Sequence, residues 1–299
     1  MKQLHRPWMA FLSSRNLFIT LFVLLNIFTL SSSYASGSKM PEITDEGTLI
    51  TDTSGDTVGS TTPPSSGGGS STTTNLSSLN RPWSKSDSSI VIDAYEGNSI
   101  DWDKMATDKK VVGVIHRSSI GLTVDSLYKS RKKIALERGY LWGAYHLGRP
   151  GNTIAQADLL LSLVQDEPNT LMILDLENTT AGNFMTINEA IVFMDHIYQK
   201  SGRIPVVYAN DSTTKLLNQK VKNNPIFQQS KLWYARFKSN ISDYPSGIWP
   251  NYFLWQFSSE LNCSTTGSCL YNVPGTKSDM DVNVFNGTAR ELAAQWNND

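Results

Sequence analysis

The stretch from Thr170 to Glu177, TLMILDLE, is an apolar run that ends on two acids. Its shortness and the Pro168 before it predict a buried β-strand. Successive strand residues point to opposite faces, so Asp175 and Glu177 face one way and Leu176 the other. Downstream, Ile187, Ala190, Ile191, Met194, Ile197 and Tyr198 recur at helical spacing. Thr186 and Glu189 stand where a capping box would start that helix, and Gly202 would end it.

Seven further apolar runs extend this strand-then-helix pattern: SIVIDAY (89–95), VVGVIHR (111–117), YLWGAYHL (140–147), IPVVYAN (204–210), KLWYARF (231–237), YFLWQFS (252–258) and MDVNVF (280–285). Helices are expected over Val124–Arg138, with Gly139 as its C-cap, and over Thr153–Gln165. Strands alternating with helices imply parallel pairing, and eight such strands imply closure. The last three runs lack clear intervening helices. The expected fold is therefore α/β, an irregular TIM-like β/α barrel in a single catalytic domain over residues 89–299.

The remaining chain is organised for export. Lys2, Arg6 and Arg15 precede the hydrocarbon run Leu17–Leu30, and Ser-Ser-Ser-Tyr-Ala follows as far as Ala35. This is the order of a secretory signal over residues 1–35. The run is shorter than the roughly 20 residues that span a bilayer comfortably. Cleavage near Ala35 is expected, with an uncleaved membrane anchor as the alternative. Residues 36–88 are rich in Ser, Thr, Gly and Pro and read as a disordered linker. Export places the chain in the periplasm or outside the cell. There the closely spaced Cys263 and Cys269, the only cysteines, are expected to form a local disulfide.

A formal charge of -1, from 26 basic and 27 acidic residues, gives no field to hold a phosphate backbone, so nucleic acid is not an expected partner. The acids are informative by position instead. In a β/α barrel the chemistry sits at the C-terminal ends of the strands. Asp93, Asp175 and Glu177 fall there, whereas Asp281 starts the last run and departs from the rule. Clustered carboxylates disfavour double ionisation, so one keeps its proton as a general acid while another stays ionised. Glycosidic bond cleavage needs that division, because the leaving oxygen takes a proton while the sugar becomes cationic. Aromatic residues on the same strands offer faces for sugar rings. Alternation puts Tyr145 and Gly143 on one face of their strand and Trp142, Ala144 and His146 on the other, which favours Tyr145 for the mouth.

The ordered set VIDAYEGNSIDWDK, GYLWGAYHLGRP, LMILDLEN, IPVVYAN, LWYARF, YFLWQFSS and MDVNVFNGT resembles the glycoside hydrolase family 25 lysozymes, the Chalaropsis-type N,O-diacetylmuramidases, across residues 89–296. The resemblance implies a flattened barrel of five α/β units and three further strands. It also implies hydrolysis of the β-1,4 bond between N-acetylmuramic acid and N-acetylglucosamine in peptidoglycan, without metal or cofactor. Carried over by motif, Glu177 is the general acid. Asp175 and Asp93 stabilise the transition state, orient the substrate acetamido group or act as nucleophile, and Asp281 completes the acidic floor. Tyr145, Tyr208, Trp233 and Trp255 match the aromatic lining, and Tyr95, His146 and Arg149 join the expected substrate-binding set.

Two positions depart from the family pattern. Leu147 stands where an aromatic residue is commoner, and the second strand lacks the basic or aromatic-rich sequence expected after it. The alternatives are a non-catalytic peptidoglycan-binding or scaffold protein and an endo-hydrolase of another amino-sugar polymer. A monomer acting on glycan strands is expected. Sequons stand at Asn75, Asn178, Asn210, Asn240, Asn262 and Asn286. A glycan on Asn178 would block Glu177, which favours a bacterial over a glycosylating export route.

Overall fold

The computed structural model describes residues 79–297. The expected signal (1–35) and most of the expected linker lie outside the described residues. Eight strands close into a ring: β1 (Ser89–Ala94), β2 (Val111–Ile120), β4 (Leu141–Leu147), β5 (Leu171–Asp175), β6 (Val206–Asn210), β7 (Leu232–Ala235), β8 (Leu254–Ser258) and β9 (Asp281–Phe285). The two-residue β3 (Thr123–Val124) hairpins back onto β2 outside the ring. β1, β2 and β4 to β8 run parallel around the barrel, and β9 lies antiparallel to both β8 and β1.

Helices follow the strands of the first part of the ring. α1 (Trp102–Met105), α2 (Tyr128–Glu137), α3 (Thr153–Val164), α4 (Ile187–Ser201), α5 (Asp211–Lys220) and the short α6 (Pro225–Gln229) all precede β7. The capping box of Thr186 with Glu189 starts α4, and Gly202 ends it at a positive φ of 70°. α2 is shorter than expected, because Val124 is taken into the hairpin. No helix joins β7 to β8, and only a 3-10 turn at Glu260–Asn262 lies between β8 and β9. These strands make the irregular side of the barrel.

Two apolar layers result from the alternation of strand side chains. Val91, Ile115, Ile173, Val206 and Leu254 fill the barrel, while Ile92, Trp142, Leu174, Ala190 and Phe193 pack between sheet and helices. Gly143 faces the interior, where a Cβ would come within 2.9 Å of Ile115. α7 (Ala289–Gln295) then closes the end where the parallel strands begin. Its Leu292 is fully buried, and the indole of Trp296 donates to the carbonyl of Trp142 at 2.8 Å. The opposite end, where the parallel strands finish, is left open.

Residues 79–88, assigned by composition to the linker, are packed against the barrel. Leu79 and Trp83 are buried, and Trp83 stacks on Phe257 with ring centroids 3.8 Å apart. Backbone bonds join Arg81 to Ser239 and Ile241 to Leu79. Lys110 holds the same segment by donating to the carbonyls of Trp83 and Lys85. The segment covers the outer face of β8, where no helix is present to do so. Composition misses it because two buried apolar side chains suffice to anchor a short polar stretch.

Candidate active site

Each acid reaches the open end by its own route. Asp93 is the fifth residue of β1, and Asp175 ends β5. Glu177 follows Asp175 on the same face, with Leu176 buried opposite. The antiparallel course of β9 resolves the position of Asp281: its first residue lies at the mouth and pairs directly with Asp93. Residues opposite each other in an antiparallel pair have Cβ atoms about 4.5–5.5 Å apart.

Burial acts against charge on all four acids. It pushes Asp93 up to about 6, although hydrogen bonds from Asn283 and Gln256 pull the other way. Asp175 is raised well above the carboxylate range by burial and then by the charges of Glu177 and Asp93, with Arg149 and Arg117 opposing. Glu177 is raised by burial against the pull of Arg149. Asp281 is raised well above its ordinary value by burial and by Asp93 and Glu177. Asp175 Oδ1 is buried without a hydrogen-bond partner.

Two neutral amides beneath the acids escape a reading by charge or motif. Gln256 Nε2 donates to both oxygens of Asp93, at 3.2 and 3.1 Å. Its Oε1 accepts from the Tyr208 hydroxyl at 2.7 Å. Asn283 Nδ2 donates to Asp93 Oδ2 at 2.7 Å and to the carbonyl of Val91 at 3.0 Å. Its Oδ1 accepts from the Trp233 indole at 2.6 Å. The signal that could have found Asn283 is its i+2 spacing from Asp281.

The aromatic set divides. Tyr145 faces the interior beside the acids, half-buried, with its ring centroid 6.3 Å from that of Trp233. Tyr208 and Trp233 pack edge to face beneath it and are nearly buried, so they form a floor rather than an exposed platform. Trp255 does not belong to this group. It is fully buried on the outer face of β8, 5.6 Å from Trp83, and its indole donates to the carbonyl of Arg236. Because Gln256 points inward, its neighbour must point out.

His146 is likewise excluded from the cleft. Its side chain is fully buried on the helix side of β4, between Ser119 at 2.8 Å and Gln156 at 3.0 Å, and stacks on Phe193. Burial pushes it down to about 4, so it is neutral. Arg149 stays near the acids, anchored through the carbonyl of Asn183 and lying over the ring of Phe184. Within the second strand, Arg117 pairs with Asp125 at 3.2 Å and lies over the ring of Tyr95, which is half-buried at the mouth.

Cys263 and Cys269 are joined by a disulfide in the connection between β8 and β9. That connection is held to the rim, where Asp101 N–H donates to Gly275 and the Asn98 amide donates to Asp279.

Residues 92–266 match the family described as Glycosyl hydrolases family 25, which covers more than half of the chain. The chain belongs to glycosyl hydrolase family 25. It is a glycoside hydrolase, and the matched span contains Asp93, Asp175, Glu177 and Gln256. Lysozyme M1 of Streptomyces globisporus is 25% identical over 222 residues, covering 70% of this chain and 71% of that protein. Among solved structures, a bacterial lysozyme from Streptomyces coelicolor is 24% identical with a TM-score of 0.55, over 72% of this chain and 99% of that one. A muramidase from Trichobolus zukalii is 22% identical with a TM-score of 0.54, over 69% and 97%. The likeness to the two solved structures is one of fold, the closed barrel with its added strand.

Proposed function

We propose that this chain is a peptidoglycan hydrolase that cleaves the β-1,4 bond between N-acetylmuramic acid and N-acetylglucosamine, with Glu177 as general acid. The observation that carries this reading is the convergence of Asp93, Asp175 and Asp281, from three strands, with Glu177 at the open end of the barrel. The names of the relatives, lysozyme and muramidase, supply the substrate. Burial raises Glu177 above the ordinary carboxyl value, the direction a general acid requires. It gives that proton to the glycosidic oxygen as the bond to C1 breaks. The cationic character left on the ring faces Asp93, Asp175 and Asp281, and water completes the hydrolysis. Asp175 Oδ1, unpartnered and buried, is the acceptor available to orient an acetamido N–H.

Tyr145 and Tyr95 flank the bound glycan, Arg149 keeps Asp175 and Glu177 from rising further, and Tyr208 and Trp233 support the floor. Such a reaction belongs outside the cytoplasmic membrane, in keeping with an exported chain. Among the described residues no helix is long and apolar enough to cross a membrane. A tether through Leu17–Leu30, in the residues outside the description, is proposed from sequence.

Digestion of purified peptidoglycan by the chain and by Glu177→Gln, followed by borohydride reduction and mass spectrometry, tests the reading. Reduced muramic acid ends from the wild type alone support it. Reduced glucosamine ends would move the cut to the other bond. Wall bound but uncut by either protein would favour a binding function.

A further inference from the structure

The hydrogen bonds beneath Asp93 have a fixed direction. The indole N–H of Trp233 can only donate and the carbonyl of Val91 can only accept. Asn283 touches both, so its Oδ1 must face Trp233 and its Nδ2 must face Val91 and Asp93. The donor aimed at Asp93 Oδ2 is thus set by groups that do not titrate near neutral pH. Gln256 adds a second donor, and its oxygen is occupied by the Tyr208 hydroxyl. Asn283 and Gln256 are both buried. A buried amide turned the other way would set oxygen against carboxylate, so these partners hold one arrangement.

We infer that Asn283, oriented by Trp233 and assisted by Gln256, is a positioning residue that keeps Asp93 ionised and fixed in the floor of the cleft. The inference rests on the proposed participation of Asp93 in hydrolysis. The other charged or titratable groups around Asp93 are Asp281 on β9, Asp175 at the end of β5 with Glu177 after it, Tyr145 on β4, Tyr208 on β6 and Arg117 on β2. The acids among them all disfavour a second negative charge. The two amides are the neutral donors that favour it.

The test compares pH profiles of kcat/KM on soluble peptidoglycan fragments for wild type, Asn283→Leu, Gln256→Leu and Trp233→Phe. Removing a donor raises the pH at which Asp93 ionises, so the acidic limb should move upward. The deficit of Asn283→Leu should be about tenfold or more below pH 5.5 and should contract as the pH approaches 8, one unit of displacement being one decade. Trp233→Phe should move the limb in the same direction by less and keeps the inference testable if Asn283→Leu fails to fold. A deficit equal at every pH would reduce Asn283 to a packing role and overturn the inference. Titration of the Asp93 carboxyl followed by carbon NMR reads the same effect without turnover, and an unchanged midpoint in the variants also overturns it. Full activity in Asp93→Asn would instead remove Asp93 from the reaction, a distinct failure of the proposed function.

Discussion

Asp93 on β1 stands directly opposite Asp281 on β9, paired across the antiparallel ladder that closes the barrel. Like charges so placed destabilise a sheet. Here the pair lies in the floor of a cleft with two further acids, and each of its members is pushed above the usual carboxylate range. The fold thus carries strain where the chemistry is proposed, and the strain has measurable consequences.

Asp93→Asn is expected to abolish hydrolysis while stabilising the protein near neutral pH. An acid raised to about 6 binds more protons folded than unfolded between pH 3.8 and 6, so its contribution to stability falls as pH rises through that window. At pH 7 a gain of about 1 kcal/mol would raise Tm by about 2–4 °C in a domain of this size. The gain should vanish below about pH 4, where Asp93 is protonated in both states. Thermal melts at pH 4 and pH 7 check both arms.

His146 predicts the opposite slope. Held neutral by burial and lowered to about 4, it takes up a proton on unfolding. Its contribution is complete above about pH 6.5 and is lost as pH falls toward 4, and His116, also lowered to about 4, adds to it. His146→Gln should flatten the acid side of the stability curve and leave KM unchanged. A raised KM in a folded variant would return His146 to the cleft.

Arg149→Gln removes the cation that pulls both Asp175 and Glu177 downward. Glu177 then keeps its proton to higher pH. The alkaline limb of the kcat profile should move upward, in contrast to the acidic-limb movement expected of the Asn283 variants.

Trp255→Ala and Trp83→Ala should each cost about 3–5 kcal/mol of stability, the range for removing a large buried aromatic side chain. Neither should alter KM in protein that remains folded. A chain begun at residue 89 should melt well below one begun at residue 79, because it lacks both Leu79 and Trp83.

The residues divide by how much of this was readable in advance. Strand count, closure and the α4 cap could be read because short apolar runs and the Thr186–Glu189 box are local signals. The place of Asp281 could not, because the direction of β9 depends on a helix-free connection whose path no local pattern encodes. His146 was readable: the alternation that puts Tyr145 at the mouth puts His146 behind it, and motif likeness overrode that rule. Trp255 was harder, since Leu254, Trp255 and Phe257 make β8 apolar on both faces. Gln256 is uncharged and gives no signal alone, so only its contact with Asp93 identifies it, whereas Asn283 shares a strand face with Asp281 two residues before it.

The packing of Trp83 against Phe257 also decides where force enters the molecule. Tension applied along the chain upstream of residue 79 meets Leu79 and Trp83 before it can reach β1. The load falls first on a ring stack and the Arg81–Ser239 and Ile241–Leu79 bonds, on the outside of β8. The barrel seam formed by β1 and β9, which carries Asp93 and Asp281, is loaded only after that clasp has opened.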